Sequence, residues 1–205
     1  MEEKKLNFIE RWKTKSLFSK ITDFIFIGLI VAMLIPQSRM AIGAFVNRIK
    51  SKIIQPKELA QEKKEVLNES DLNFSFVDVS GKTRNFSEYK GKVIFLNFWA
   101  TWCPPCVGEM PSIQELYDKY KNNDKIAFVL ISDESPELIK AFTAKKSYTF
   151  PVFSMNSNLP EQLSTSGIPA TFLITKKGEI ALKEVGAADW SGDNMIEIVE
   201  KLIKE

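Results

Sequence analysis

The pattern of apolar positions in the C-terminal part of the chain predicts alternating strands and helices. Residues 92–100 form a nearly continuous apolar run rich in Val, Ile, Phe and Trp, which is typical of a strand buried on both faces of a sheet. Residues 126–132 form a second such run. Between the two runs, apolar side chains recur at helical spacing after Cys106, which predicts a helix that packs one face on the sheet.

The remaining pattern adds two hairpins, one strand and two helices. Strand and helix alternate and an antiparallel pair follows, so the sequence predicts an α/β fold with a mixed central sheet covered on both sides. The expected elements are a hairpin of 73–79 and 83–86, a helix at 135–146, a strand at 149–154, a hairpin of 171–175 and 179–185, and a helix at 191–204.

The N-terminal part follows a different pattern. Phe24 to Ile35 are twelve apolar residues without a charge. They are fewer than the roughly 20 that a bilayer span needs, although counting from Leu17 to Ser38 gives enough length. We predict a transmembrane anchor at 21–38. A cleaved signal sequence and a buried core helix are the alternatives, and the run lacks the polar face expected of a core helix.

Charge divides the chain in the same way. Residues 1–68 carry 13 Lys and Arg against 7 Asp and Glu, a net +6, whereas residues 69–205 carry 15 against 19, a net −4. A basic, apolar segment before a mildly acidic globular part indicates a membrane element and a soluble domain rather than a nucleic-acid binder. The expected organisation is a basic cytoplasmic N-terminus at 1–20, the anchor, a linker at 39–70 and a domain at 71–205.

The candidate chemistry lies in the segment Trp102-Cys103-Pro104-Pro105-Cys106. The chain contains no other cysteine and no histidine, which excludes His-based catalytic triads and makes a zinc site, with its four Cys or His ligands, a poor alternative. Two sulfurs three residues apart share one face of a first helical turn and can form a disulfide. The helix N-terminus stabilises a thiolate on Cys103, the predicted nucleophile, although a purely structural disulfide is the competing interpretation.

Two motifs, FLNFWATWCPPC at 95–106 and GIPATFLITKKGEI at 167–180, carry a family resemblance over about residues 69–205. The chain resembles the membrane-tethered TlpA/ResA-like thiol–disulfide oxidoreductases of the thioredoxin superfamily. The resemblance implies a thioredoxin-like fold with an N-terminal β-hairpin extension. It also implies a cis bond before Pro169, which leaves the backbone of Ile168 beside the disulfide to pair with an extended substrate.

The resemblance also assigns residues to the site. Glu109 matches the position of an active-site glutamate in ResA-like proteins, and a carboxylate near the sulfurs could accept or supply protons during exchange; a solvent-facing charge is the alternative. Trp102 is expected to border the substrate surface. Asn97 replaces the buried aspartate of cytosolic thioredoxins, so Glu109 is the available proton acceptor. By strand alternation Leu96 and Phe98 share one face of the sheet and Trp99 lies on the other, in the core.

The expected function is reduction of disulfides in extracytoplasmic proteins, with apocytochrome c as one candidate substrate, through exchange at Cys103 and Cys106. A membrane electron carrier would restore the thiols, and no metal or other cofactor is expected. We expect a single-pass protein of the cytoplasmic membrane with its domain on the outer side. The alternatives are a disulfide oxidase or isomerase of the same fold and a non-catalytic binding module. A copper-delivery protein is disfavoured because the chain lacks histidine.

Overall fold

The computed structural model describes residues 15–35, 38, 42–46, 56–59 and 65–205. These residues fall into two units, one ending at Ile42 and one beginning at Gly43. Most of the predicted cytoplasmic N-terminus (1–20) and most of the predicted linker (39–70) lie outside the described residues, as do two positions of the predicted anchor.

The first unit contains helix α1, Leu17–Leu34. Phe24, Ile25 and Phe26 are among its exposed apolar side chains. The sequence predicts a transmembrane helix here, but within the described part of the chain no helix is long and apolar enough to be identified as a membrane span.

A seven-stranded mixed sheet forms the second unit, in the order β2-β1-β5-β4-β3-β6-β7. The central strand β3 runs parallel to β4 and antiparallel to β6. β1 joins the sheet by antiparallel pairing with β5 and carries β2 at the edge, which is the predicted N-terminal hairpin extension. The strands are β1 Ser75–Asp78, β2 Thr83–Asn85, β3 Val93–Phe98, β4 Ile126–Ser132, β5 Val152–Met155, β6 Ala170–Ile174 and β7 Ile180–Val185.

Three α-helices of the second unit connect or follow these strands: α2 Pro104–Tyr120, α3 Pro136–Lys146 and α4 Asp193–Lys204. The bounds of α3 and α4 agree with the predicted 135–146 and 191–204 to within two residues, and α2 begins in the CPPC segment, as predicted. α3 begins where Ser135 accepts a hydrogen bond from the Leu138 backbone N–H, and a proline occupies its first turn, where no intrahelical N–H partner is needed.

Apolar side chains pack into two clusters, one on each side of the sheet. Phe95 and Trp99 belong to the cluster that also contains α2 and α4, whereas Leu96 and Phe98 belong to the cluster beneath the N-terminal hairpin. This division confirms the alternation predicted for β3. Burial on both faces explains why every residue of the strand except Asn97 is apolar.

The chain before β1 also packs on the sheet. The Leu67 backbone N–H donates to the Gly178 carbonyl at 2.9 Å, and the Ile180 N–H donates to the Glu65 carbonyl at 2.8 Å. Leu67 is buried in the cluster beneath the hairpin. The end of the predicted linker therefore lies along β7 and its turn.

Candidate active site

The two cysteines lie at the first turn of α2, directly after the carboxyl end of β3. Cys103 is the N-cap of the helix, and its Sγ accepts the backbone N–H of Cys106 at 3.2 Å. Pro104 occupies the first helical position, which requires no N–H donor. The two sulfurs form a disulfide with the Cα atoms 5.3 Å apart. In the reduced protein the same N–H and the positive end of the helix dipole would stabilise a Cys103 thiolate.

The residues around the disulfide differ in their exposure. Cys106 is fully buried, Cys103 is 3% exposed, and Trp102 is 59% exposed. The sulfur predicted to attack the substrate thus lies at the edge of the core, beside an indole ring that faces solvent. A large exposed aromatic side chain next to a reactive group is suited to contact with a partner.

The peptide bond between Ile168 and Pro169 is cis, as the family resemblance predicts. The Ile168 carbonyl oxygen lies 3.8 Å from Cys103 Sγ. A sulfur in a disulfide has no hydrogen, so this distance describes a contact, and only the reduced thiol could donate there. The Pro169 carbonyl accepts the Gly186 N–H at 2.8 Å, which ties the segment to the end of β7.

A cavity of about 360 Å³ adjoins this segment. It lies beside Ile168 and is lined by the ends of β3, β4 and β5 and by the loop that leads to β6; its apolar walls come from Phe98, Trp99, Ile131, Met155, Leu159 and Ile168. A cavity of this size accommodates a large apolar side chain beside Ile168.

Glu109 lies one helical turn after Cys106 and is 1% exposed. Its Oε2 accepts hydrogen bonds from Trp190 Nε1 at 2.9 Å and from the Ala188 backbone N–H at 3.3 Å, and its Oε1 accepts from Asn97 Nδ2 at 2.9 Å. The alternative of a solvent-facing charge is therefore wrong. Burial raises the pKa of Glu109 to about 8; its three hydrogen bonds oppose that shift, and the charge of Glu184 adds to it.

A carboxyl group with a pKa near 8 can gain or lose a proton close to neutral pH. Residues three apart lie on the same side of a helix, so Glu109 and Cys106 share the buried face of α2. The arrangement can stabilise a thiolate at Cys103, form a disulfide within one helical turn and exchange a proton at Glu109.

Several residues of this site carry no signal in the sequence. Ala188 and Trp190 come from the loop before α4, about 80 positions from Glu109, where no periodic pattern marks them. Thr101 donates its backbone N–H and its hydroxyl to Glu134, each at 2.6 Å, which fixes the loop before Cys103 to the loop after β4. A threonine before the CxxC segment and a glutamate after a strand were visible, but their pairing across 33 positions was not.

This chain is similar to known thiol-disulfide oxidoreductases in sequence and in fold. The Redoxin family model matches residues 67–203. A thiol-disulfide oxidoreductase ResA from Bacillus cereus is 36% identical over 128 residues, which cover 62% of this chain and 74% of that protein. The ResA of Bacillus thuringiensis subsp. konkukian is 34% identical over 146 residues, or 71% of this chain and 80% of that protein.

Among solved structures, a thiol:disulfide interchange protein of the thioredoxin family from Chlorobium tepidum TLS superposes with a TM-score of 0.53 at 26% identity. The match covers 73% of this chain and 98% of that one. The mixed sheet and its helices thus form a thioredoxin-like fold.

Proposed function

Because the chain belongs to the Redoxin family, we propose that it uses Cys103 and Cys106 to reduce disulfides in protein substrates. Thiol–disulfide oxidoreductase activity follows from the family and from the ResA relatives. The direction of exchange, the substrates and the location are our proposal. The observation that carries it is the position of the disulfide, where the start of α2 and the Ile168 carbonyl meet at the Cys103 sulfur.

In the first step the Cys103 thiolate attacks one sulfur of a substrate disulfide. A bond forms between Cys103 and that sulfur, the substrate disulfide breaks, and the other substrate sulfur leaves as a thiolate that takes a proton from water. An extended substrate segment would lie along Ile168, pair with its backbone and contact Trp102. The cavity beside Ile168 would receive a neighbouring apolar side chain.

In the second step Cys106 resolves the mixed disulfide. Its thiol gives its proton to the Glu109 carboxylate, and the resulting thiolate attacks Cys103. The bond between Cys103 and the substrate breaks, and the second substrate thiolate is released. The substrate has gained two electrons, and the protein is left with the disulfide that the structure shows. A dithiol donor then reduces it again.

The direction of exchange is tested by the equilibrium potential of the pair against glutathione. A value near that of thioredoxin, about −270 mV, agrees with reduction of substrates, whereas a value near about −120 mV identifies an oxidant. The second result would overturn the proposed direction while leaving the exchange mechanism intact.

Substrates are identified by trapping. Cys106→Ser removes the resolving thiol, so mixed disulfides at Cys103 should accumulate and be released by a reductant. The double variant Cys103→Ser/Cys106→Ser is the matched control and should trap nothing. Recovery of oxidised extracytoplasmic proteins, with apocytochrome c as the specific candidate, supports the proposal. Equal capture by both variants would overturn it.

The proposal places the protein in the cytoplasmic membrane with the domain outside. The charge asymmetry of the chain and the exposed apolar side chains of α1 support it, since such a surface favours an apolar environment. A tether would hold the domain near a membrane dithiol donor at high effective concentration. Resistance of the full chain to alkaline extraction, together with protease access to the domain from outside, is the expected result. Release by alkali would overturn the tether.

A further inference from the structure

The surroundings of Glu109 fit a carboxylate better than a carboxylic acid. Its partners within the described residues are three N–H groups, from Trp190, Ala188 and Asn97. A carboxylate only accepts hydrogen bonds, so all three suit it, whereas a protonated carboxyl must also donate one. Every one of these contacts places a hydrogen where the acid would need an acceptor.

The two oxygens of Glu109 are not equivalent in this respect. Oε2 faces a backbone N–H and an indole N–H, which are donors in any orientation. A proton on Glu109 must therefore be carried by Oε1. Oε1 faces the side-chain amide of Asn97, which contains both a donor and an acceptor.

Asn97 can present either end of that amide. Its Nδ2 donates to Glu109 Oε1 at 2.9 Å and to Thr171 Oγ1 at 2.8 Å. Its Oδ1 is buried and has no partner among the residues that the structure describes. Rotation of the amide by half a turn exchanges the two atoms, so that Oδ1 can accept from a protonated Glu109. The Thr171 hydroxyl, which both accepts and donates, can follow by donating to the same oxygen.

We propose that the Asn97 amide and the Thr171 hydroxyl reverse together whenever Glu109 gains or loses its proton. With Glu109 ionised, Asn97 donates to both neighbours; with Glu109 protonated, Asn97 accepts from both. In the orientation that the structure shows, the outward Oδ1 has no partner among the described residues, so reversal breaks no hydrogen bond made by that atom. Asn97 is thus a positioning residue that lets one buried site hold both forms of the acid.

This inference deepens the proposed function because it describes how Glu109 holds the proton taken from Cys106. The charged and titratable groups around it lie on several elements. Glu184 on β7 pairs with Thr171 in the sheet, and its charge raises the pKa of Glu109. Cys103 and Cys106 on α2 do not titrate while they form the disulfide.

The test is an NMR titration of the oxidised full chain, labelled with ¹³C and ¹⁵N. The Glu109 carboxyl carbon reports its protonation, and the Asn97 Nδ2 protons report the orientation of the amide. At high pH these protons should show nuclear Overhauser effects to the Glu109 and Thr171 side chains. Those effects should disappear on acidification, and the pH at which half of their intensity is lost should equal the titration midpoint of the Glu109 carboxyl carbon. Unchanged effects through that midpoint, or a Glu109 carbon that does not titrate between about pH 5 and 10, would overturn the proposal.

Glu109→Gln provides a fixed reference state. Its amide oxygen can accept from Trp190 and Ala188, which leaves its NH₂ group to donate toward Asn97. The Asn97 pattern should then match that of the acidified wild type at every pH. A pattern that matches the wild type at high pH would overturn the proposal.

In Asn97→Asp the new side chain, while ionised, can only accept hydrogen bonds and adds a negative charge beside Glu109. The Glu109 midpoint should rise by at least one pH unit, and the pH dependence of mixed-disulfide resolution should move with it. Thr143→Val, which removes a buried hydroxyl bonded to its own helix, is the control and should move neither. A shift of less than half a pH unit in Asn97→Asp would contradict the role of the amide. Since the titration is done on the disulfide form without substrate, its outcome is independent of whether the protein reduces proteins.

Discussion

Replacing Glu109 with glutamine should make the stability of the domain nearly independent of pH between pH 5 and 8. The pKa of this carboxyl is about 8 in the fold, against an ordinary value of 4.5. Between those values the folded protein keeps a proton that the unfolded chain has lost. The free energy of unfolding of the wild type therefore falls as pH rises through this window.

The size of this change in the free energy of unfolding follows from the difference between the two pKa values. A difference of about 3.5 pH units, at about 1.4 kcal/mol per unit, gives about 5 kcal/mol of stability lost between acidic and alkaline conditions. Ionisation of a fully buried carboxyl is the physical cause, since the three N–H donors only partly replace its hydration. Glutamine keeps the size of the side chain and never ionises, so its hydrogen bonds change little with pH.

The assay is urea unfolding of the oxidised protein at pH 5, 6, 7, 8 and 9. The wild type should lose about 1.4 kcal/mol per pH unit up to pH 8 and then level off, while Glu109→Gln should stay nearly flat. Glu115→Gln, which alters an exposed carboxylate on the same helix, is the matched control and should follow the wild type. Equal slopes for the wild type and Glu109→Gln would refute the assignment of the raised pKa to this residue.

Three further predictions follow from contacts of different burial. Trp190→Phe removes one donor to the Glu109 carboxylate, so the pKa of Glu109 should rise further, as measured by the NMR titration of its carboxyl carbon; an unchanged midpoint would contradict the hydrogen bond. Glu134→Gln weakens the hydrogen bonds from Thr101 and should lower the free energy of unfolding by about 1 to 3 kcal/mol, measured by urea unfolding. A loss below about 0.5 kcal/mol would show that other contacts hold the two loops together. Lys90→Ala breaks an exposed ion pair with Glu69 and should change stability by less than about 1 kcal/mol, because solvent screens it; a larger loss would show that Lys90 has a packing role.

The sequence was sufficient for the features that depend on local chemistry. The two sulfurs at three-residue spacing, the N-terminal prolines of α2 and the double burial of β3 each follow from short-range geometry and appear in the structure as expected. The cis bond before Pro169 came instead from the family resemblance. The strand predicted at 149–154 is found as Val152–Met155, since Pro151 has no N–H to donate and the ladder starts after it.

Contacts between segments that are distant in sequence could not be predicted from this short-range geometry. Glu109 is buried because the loop before α4, about 80 residues further along the chain, packs over it. From the sequence alone, a glutamate on a helix could equally be buried or exposed. The packing of Leu67 on the turn after β6 likewise joins positions more than 100 residues apart. A polar segment that contributes the buried Leu67 and backbone hydrogen bonds to the sheet is indistinguishable in sequence from a solvated connector.

Two of the three donors to Glu109 belong to the stretch between β7 and α4. A protein shortened at Val185 would still contain both cysteines, Pro169 and the residues of every strand. It would nevertheless leave the acid without the groups that hold its Oε2 atom and would uncover the core beneath α4. A stable domain therefore has to extend beyond Val185, because the residues that follow supply hydrogen-bond donors to Glu109 and cover the core.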